Sequence, residues 1–211
     1  YTAVSKDANA IFFNPAGLIN TTFSAKLSFS QLYNQDFSEL KTVALGYKLP
    51  KNLGTVAIGA RAMDVDFEDV NLMSEQVYSL AHSFILLEDI HSRISFGYTG
   101  NLYLLSMDGE DDDTALGIDL GALAVLHSRT HIAFAVTNIN KATMGDKNQI
   151  DLPSKLALGI AYVPYEKVTT SIEVKKDFAK ETEFMGGVEA HLLEPLAIRF
   201  GVHQNPATYN A

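Results

Sequence analysis

The sequence has no cysteine, which removes disulfide frameworks, Cys-ligated zinc and thiol catalysis together. It has no run of about 18 apolar residues: the longest apolar stretch, Leu116 to Leu126, is broken by Asp119, so a membrane-spanning helix is excluded. Basic residues are few. Sixteen Lys and Arg against 25 Asp and Glu give a net charge of −9, the wrong sign for a phosphate backbone, and nucleic acid is not expected as a partner. The first ten residues, YTAVSKDANA, show neither a basic nor an apolar leader region, so any secretory signal is expected to have been removed or to lie outside this sequence. Short motifs for hydrolase, nucleotide-triphosphatase, dinucleotide and zinc-hydrolase chemistry are missing as well, and nothing calls for a cofactor, a metal or an enzymatic role.

What is present is apolar and alternating. With 47% hydrophobic and 19% charged residues, the chain is too apolar to be disordered and must bury apolar surface somewhere. The dominant pattern has period 2 over segments of about ten residues, which reads as strands. The expected segments are Thr22–Leu32, Glu39–Leu49, Leu53–Asp64, Glu75–Leu86, Arg93–Met107, Thr114–His127, Thr130–Thr137, Ser154–Val163, Val168–Asp177, Glu181–His191 and Leu196–His203. Within the fifth, Ile94, Phe96, Tyr98, Leu102 and Leu104 point one way and Arg93, Ser95, Thr99 and Asn101 the other. In the eighth, Leu156, Leu158, Ile160 and Tyr162 alternate with Ala157, Gly159 and Ala161.

Strands of a soluble sandwich average about five or six residues, whereas tilted strands that cross a bilayer need about nine to eleven. Connections also alternate, as in outer-membrane barrels. Tight links fall at Pro50–Asn52, Glu88–Ser92, His127–Arg129, Pro164–Lys167 and Leu192–Pro195. Longer or more polar ones fall at Tyr33–Ser38, Val65–Ser74, Asp108–Asp113 and Ile139–Pro153; the short link near Ala179 breaks the rule. Tyr47, Tyr162 and Tyr165 border tight turns, where aromatic rings suit a membrane interface. The expected fold is therefore all-β, an antiparallel up-and-down transmembrane β-barrel of about eleven strands over residues 22–211, with outer-membrane lipid as its partner. Lys26, Lys41, Arg61, Arg93, Asp119, Glu173, Lys175, Glu189 and Arg199 are expected in a polar lumen or at strand ends in water.

Residues 1–21 differ and read as a plug. Ser5 or Asp7 is placed to cap a short helical turn over Ala8–Phe12, which Pro15 and then Gly17 should end. Asn14 and Pro15 fix the turn, so that Ile11, Phe12, Phe13 and Leu18 are held as an apolar cluster. The acidic run Asp108 and Glu110 to Asp113 reads as a solvated outer loop, with divalent bridging as the rival. The six histidines show no metal-binding spacing.

The stretch Asp7–Leu18, DANAIFFNPAGL, resembles the N-terminal signature of FadL-type outer-membrane barrels, including the PorV/PorQ branch. Asn14, Pro15, Ala16, Gly17 and Leu18 carry the match, and Leu152-Pro153 before a long strand resembles a later barrel repeat. The chain holds fewer strands than that family's barrel, so the resemblance implies a fragment, incomplete at the C-terminus. It also implies a location in a bacterial outer membrane and passive uptake of a hydrophobic small-molecule ligand past an N-terminal hatch formed by Ile11 to Leu18. The PorV/PorQ branch implies the alternative: a component of type IX secretion that acts by binding secretion-system proteins.

Overall fold

The computed structural model describes residues 1–31, 38–67, 70–107, 109, 111–145, 149–193 and 196–204. Two short 3-10 helices, η1 (Ala8–Phe12) and η2 (Pro15–Asn20), precede the strands. The strands are β1 (Phe23–Gln31), β2 (Ser38–Lys48), β3 (Thr55–Phe67), β4 (Val70–Glu88), β5 (Ser92–Met107), β6 (Asp113–Leu126) and β7 (Thr130–Thr137). A two-stranded hairpin, β8 (Thr143–Met144) with β9 (Ile150–Asp151), lies in the next connection. β10 (Lys155–Tyr165), β11 (Val168–Asp177), β12 (Thr182–Leu193) and β13 (Leu196–Gln204) follow.

Apart from that hairpin, the strands form one eleven-stranded antiparallel sheet in chain order, with β10 beside β7. Sequence neighbours are thus sheet neighbours, as hairpin-length links require. β1 and β13 are the two edges and do not pair with each other among the described residues. Tight turns close one end. Positive φ at Lys51 and Asn52, and again at His127 and Ser128, marks two-residue reversals whose twist matches that of the flanking strands. One expectation fails at the other end: Val65–Ser74 is not an open loop. β3 and β4 run on as a hairpin, pairing Val65 with Met73, Asp66 with Asn71 and Phe67 with Val70.

The two faces separate sharply. One carries Ala44, Ala57, Ala81, Ser83, Ser95, Thr99 and Leu123, all buried. The other leaves large apolar side chains in the open on every strand of the eleven-stranded sheet, including Leu27, Leu45, Ile58, Leu80, Tyr98, Ile132, Ile160, Val188 and Phe200. Leu116 is 69% exposed and Ile172 67%. The alternation legible in β5 and β10 therefore holds, but its apolar half faces away from the protein.

The buried face is concave, and the chain itself shows why. Asp7 pairs with Lys26 of β1 at 3.2 Å, while the Thr2 backbone N–H donates to Glu173 of β11 at 2.8 Å. Strands β1 and β11 are the first and ninth in the sheet order, and at about 4.8 Å per interval a flat sheet would hold them nearly 40 Å apart. Thr2 and Asp7 are separated by few enough residues that the chain between them spans at most about 18 Å. The sheet must curl around residues 1–21.

Candidate functional site

The N-terminal segment is held inside that curve. Asp7 caps η1 by accepting from the Asn9 N–H at 3.0 Å; Ser5, the other candidate cap, does not take this role. Asp7 also accepts from the Tyr1 hydroxyl at 2.9 Å. Burial, then this bond and the Asp7 charge, push the Tyr1 phenol above its ordinary value, so it stays a donor.

Pro15 and Gly17 do not end the helical turn as the sequence suggests. Pro15 opens η2: at the first helical position its missing N–H has no partner to lose. Asn14 is the cap, its Oδ1 accepting from the Ala16 N–H at 3.1 Å. Gly17 lies within η2 without a positive φ; its lack of a side chain matters because a Cβ there would sit 2.7 Å from the Ser5 carbonyl oxygen. The buried segment also continues past Leu18 to Ile19.

Asn14 is fully buried and uses its whole amide. Besides the cap, Nδ2 donates to the Thr2 carbonyl at 2.9 Å and to the Ala122 carbonyl of β6 at 3.3 Å. Hydroxyls of the wall supply the other bonds. Ser83 donates to the Ala16 carbonyl at 3.1 Å, Ser95 to the same oxygen at 3.4 Å, and Thr99 to the Ile11 carbonyl at 3.4 Å. They occupy strand positions that a purely apolar interior would fill with Val or Leu, and they satisfy plug carbonyls that are shut away from water.

Packing divides into two clusters. Ala8, Ala10, Ile11 and Leu18 meet Ala44, Ala57 and Ala81, with Phe12 at the margin. Ala3 and Ala16 meet Leu123, Ala133 and Ala161. The wall is built of small residues here because the plug backbone lies against it. A Cβ on Gly121 would overlap Asn14 Oδ1, one on Gly97 would overlap the Pro15–Ala16 peptide, and one on Gly59 would sit 2.7 Å from Phe12 Cζ.

The eight residues singled out in the sequence thus divide. Ile11, Asn14, Pro15, Ala16, Gly17 and Leu18 are buried docking residues. Phe12 is half-buried at Gly59, with the Arg61 guanidinium 4.7 Å above its ring. Phe13 does not reach the wall: it is 51% exposed and packs on the Tyr1 ring at 4.7 Å. Phe12 and Phe13 therefore form the margin of the plug, with Arg61 of β3 over the Phe12 ring. Ser83 and Gly121 escaped the sequence reading, and Ser95 and Thr99 entered it only as the polar face of the fifth segment; their signal is a small or hydroxyl residue at alternate positions of otherwise apolar strands.

Of the expected lumen charges, Lys26, Arg61, Asp119 and Glu173 lie on the concave side. Asp119 accepts from Asn101 Nδ2 at 2.8 Å and from the Asn138 N–H at 2.7 Å, which ties the β7–β10 connection to the wall. Lys41 does not belong with them. It sits on the convex face at the long-loop end, bound to Glu39 at 3.0 Å and Asp64 at 3.3 Å. In the acidic run, Asp108 and Glu110 lie outside the described residues, and among the described residues no three His, Asp or Glu side chains gather as a metal site requires. In comparisons with known proteins, no family model and no curated sequence matches this chain.

Proposed function

We propose that this chain forms the wall and plug of an outer-membrane β-barrel of the FadL-like kind, which admits a hydrophobic small molecule passively and catalyses no chemistry. The observation that carries the reading is the two-sidedness of the sheet. Soluble monomers rarely expose an apolar patch beyond a few hundred Å², yet here apolar side chains stand in the open across all eleven strands. Lipid is the partner that suits such a face.

The borders of that face support a bilayer. Toward the tight turns the convex side carries Phe23, Tyr47, Tyr162 and Tyr165, with Phe84 and Phe96 in edge contact at 5.8 Å. Toward the long loops it carries the Glu39, Lys41, Asp64 group, to which Ser74 adds a bond at 2.9 Å. An aromatic border on one side and charge on the other bracket the apolar band.

Passage of a hydrophobic solute draws support from the plug's margin, where Phe12 and Phe13 offer apolar surface beside the Arg61 guanidinium. Replacing both with Ala should change uptake of a hydrophobic substrate into proteoliposomes while leaving assembly intact. Unchanged uptake by a correctly assembled variant would reduce both rings to packing. A second reading, a secretion component that works by binding other proteins, is favoured by one observation: every polar atom of Asn14 is bonded, which suits a plug that stays shut. In that case wild-type protein transports nothing, and co-purified secretion proteins distinguish the two.

A further inference from the structure

At the long-loop end, the concave face carries a second apolar surface that plug docking does not use. β4 and β5, at 19 and 16 residues, are the longest strands of the sheet, and the register of their upper ends fixes what stands there, because cross-strand partners share a face. One row across β3 to β6 is Met63, Glu75, Leu105 and Asp113; the next is Val65, Met73 and Met107. Met63 and Val65 continue the alternation of buried Ala57, Gly59 and Arg61 along β3, so both rows face inward. The apolar members are half-buried and belong to neither packing cluster of the plug. Three of the five methionines of the chain thus gather on one small surface. Thioether side chains are flexible and polarisable, and surfaces built from them accept apolar partners of varied shape.

The charge around this surface has one sign. Between Arg61 and Arg129 the sequence has a single Lys or Arg, Arg93, and it lies at the tight-turn end of β5. Asp64 and Asp66 border the rows on β3, and Asp111 and Asp112 precede β6. Lys41 answers Asp64 from β2. Among the described residues, no Lys, Arg or His lies within ion-pair distance of Glu75 or Asp113. Arg61, one alternate position below Met63, is turned onto the Phe12 ring, 4.7 Å from its centroid. A field of carboxylates draws cations and repels anions, so the complementary partner is basic.

A small molecule binds best between walls, whereas this surface is the open face of a sheet. From β3 to β6 it spans about 14 Å, at about 4.8 Å per interval, and a helix with its side chains is about 10–12 Å across. We propose that this face docks a basic amphipathic helical segment of a partner protein, whose apolar side lies on Met63, Met73, Leu105 and Met107 while its Lys or Arg side chains pair with Glu75 and Asp113. The docking stands apart from solute passage, since it needs only the face and its charge.

Fluorescence anisotropy of a labelled helical peptide of Leu and Lys tests it, with the full chain in non-ionic detergent and protein-free micelles as the blank. Two control peptides carry Glu for Lys, or Ser for Leu. The Leu–Lys peptide should bind at least about tenfold more tightly than either control, and more weakly as salt is raised. Glu75→Gln with Asp113→Asn should weaken it by about tenfold, and so should Met73→Ser with Met107→Ser. The first pair is isosteric and keeps the test decisive if the second does not fold. Equal binding of either control peptide overturns the proposal, as does full affinity in the folded Glu75→Gln, Asp113→Asn variant. Hexylammonium binding as tightly as the peptide assigns the face to a small cationic amphiphile and overturns it too.

Discussion

Asn14→Ala should loosen the plug without unfolding the wall. The substitution deletes the cap bond to the Ala16 N–H and both donations, to Thr2 and to Ala122 of β6. Loss of an Asn cap costs about 0.5–2 kcal/mol, and leaving buried carbonyls unpaired costs about 1–3 kcal/mol more. A net loss of roughly 2–4 kcal/mol corresponds to a fall of roughly 30- to 700-fold in the ratio of docked to undocked plug, since about 1.4 kcal/mol is tenfold. The strands are not charged with this loss, because β6 keeps its pairing to β5 and β7. Native-state hydrogen exchange reads it directly: protection of the plug amides that depend on docking should fall by that factor while β4–β6 amides stay protected. Asn14→Asp keeps the acceptor for the Ala16 N–H but loses both donors, and should fall in between. Plug protection within about twofold of wild type in Asn14→Ala would refute the docking role assigned to this side chain.

Three further outcomes follow from the same geometry. Gly97→Val should displace η2 and lower the thermal midpoint, because its Cβ would overlap the Pro15–Ala16 peptide, whereas Gly100→Val should be nearly silent since nothing lies within 4 Å of its Cβ. Ile172→Arg should cost about 2–4 kcal/mol in urea titrations of protein folded into bilayers if Ile172 lies near mid-membrane, and little if it faces water. The Asp89 carboxyl is held below its ordinary value by the His91 N–H, then the Ser92 hydroxyl and N–H. A depressed folded value contributes stability at pH above the unfolded value and loses it as pH falls through the folded one. Wild type should therefore lose stability on the acid side of the ordinary carboxylate range by a small increment that Asp89→Asn lacks, as acid titration of thermal midpoints would reveal.

The strands were legible because outward-facing apolar residues and plug-facing small or polar residues alternate at the strand period. Leu156 to Tyr162 announces both its faces, and all eleven expected segments correspond to strands of the main sheet. Val65–Ser74 misled because Asp64, Asp66, Glu68, Asp69 and Asn71 make it read as a polar loop, although Met63, Val65 and Phe67 keep the strand period among them. The backbone pairing follows that period, and the hairpin runs on. Pro15 misled for a different reason. A proline reads as a terminator from the residues before it and as a starter from those after it, and only the Asn14 cap decides between them. The docking hydroxyls were hidden because Ser83, Ser95 and Thr99 look like ordinary polar positions of an alternating strand until the plug carbonyls stand opposite them.

The central claim, that the convex face lies in lipid, can be measured position by position, since the absence of cysteine makes single-cysteine labelling simple. A fluorophore attached in turn through Tyr98→Cys, Ile118→Cys, Leu158→Cys and Ile172→Cys, and on the concave side through Lys175→Cys, is read in bilayers containing brominated lipid and then with aqueous iodide. The four convex positions should be quenched by brominated lipid and shielded from iodide, and the concave one should show the reverse. Iodide quenching at all four convex positions, with no effect of brominated lipid, would contradict the account.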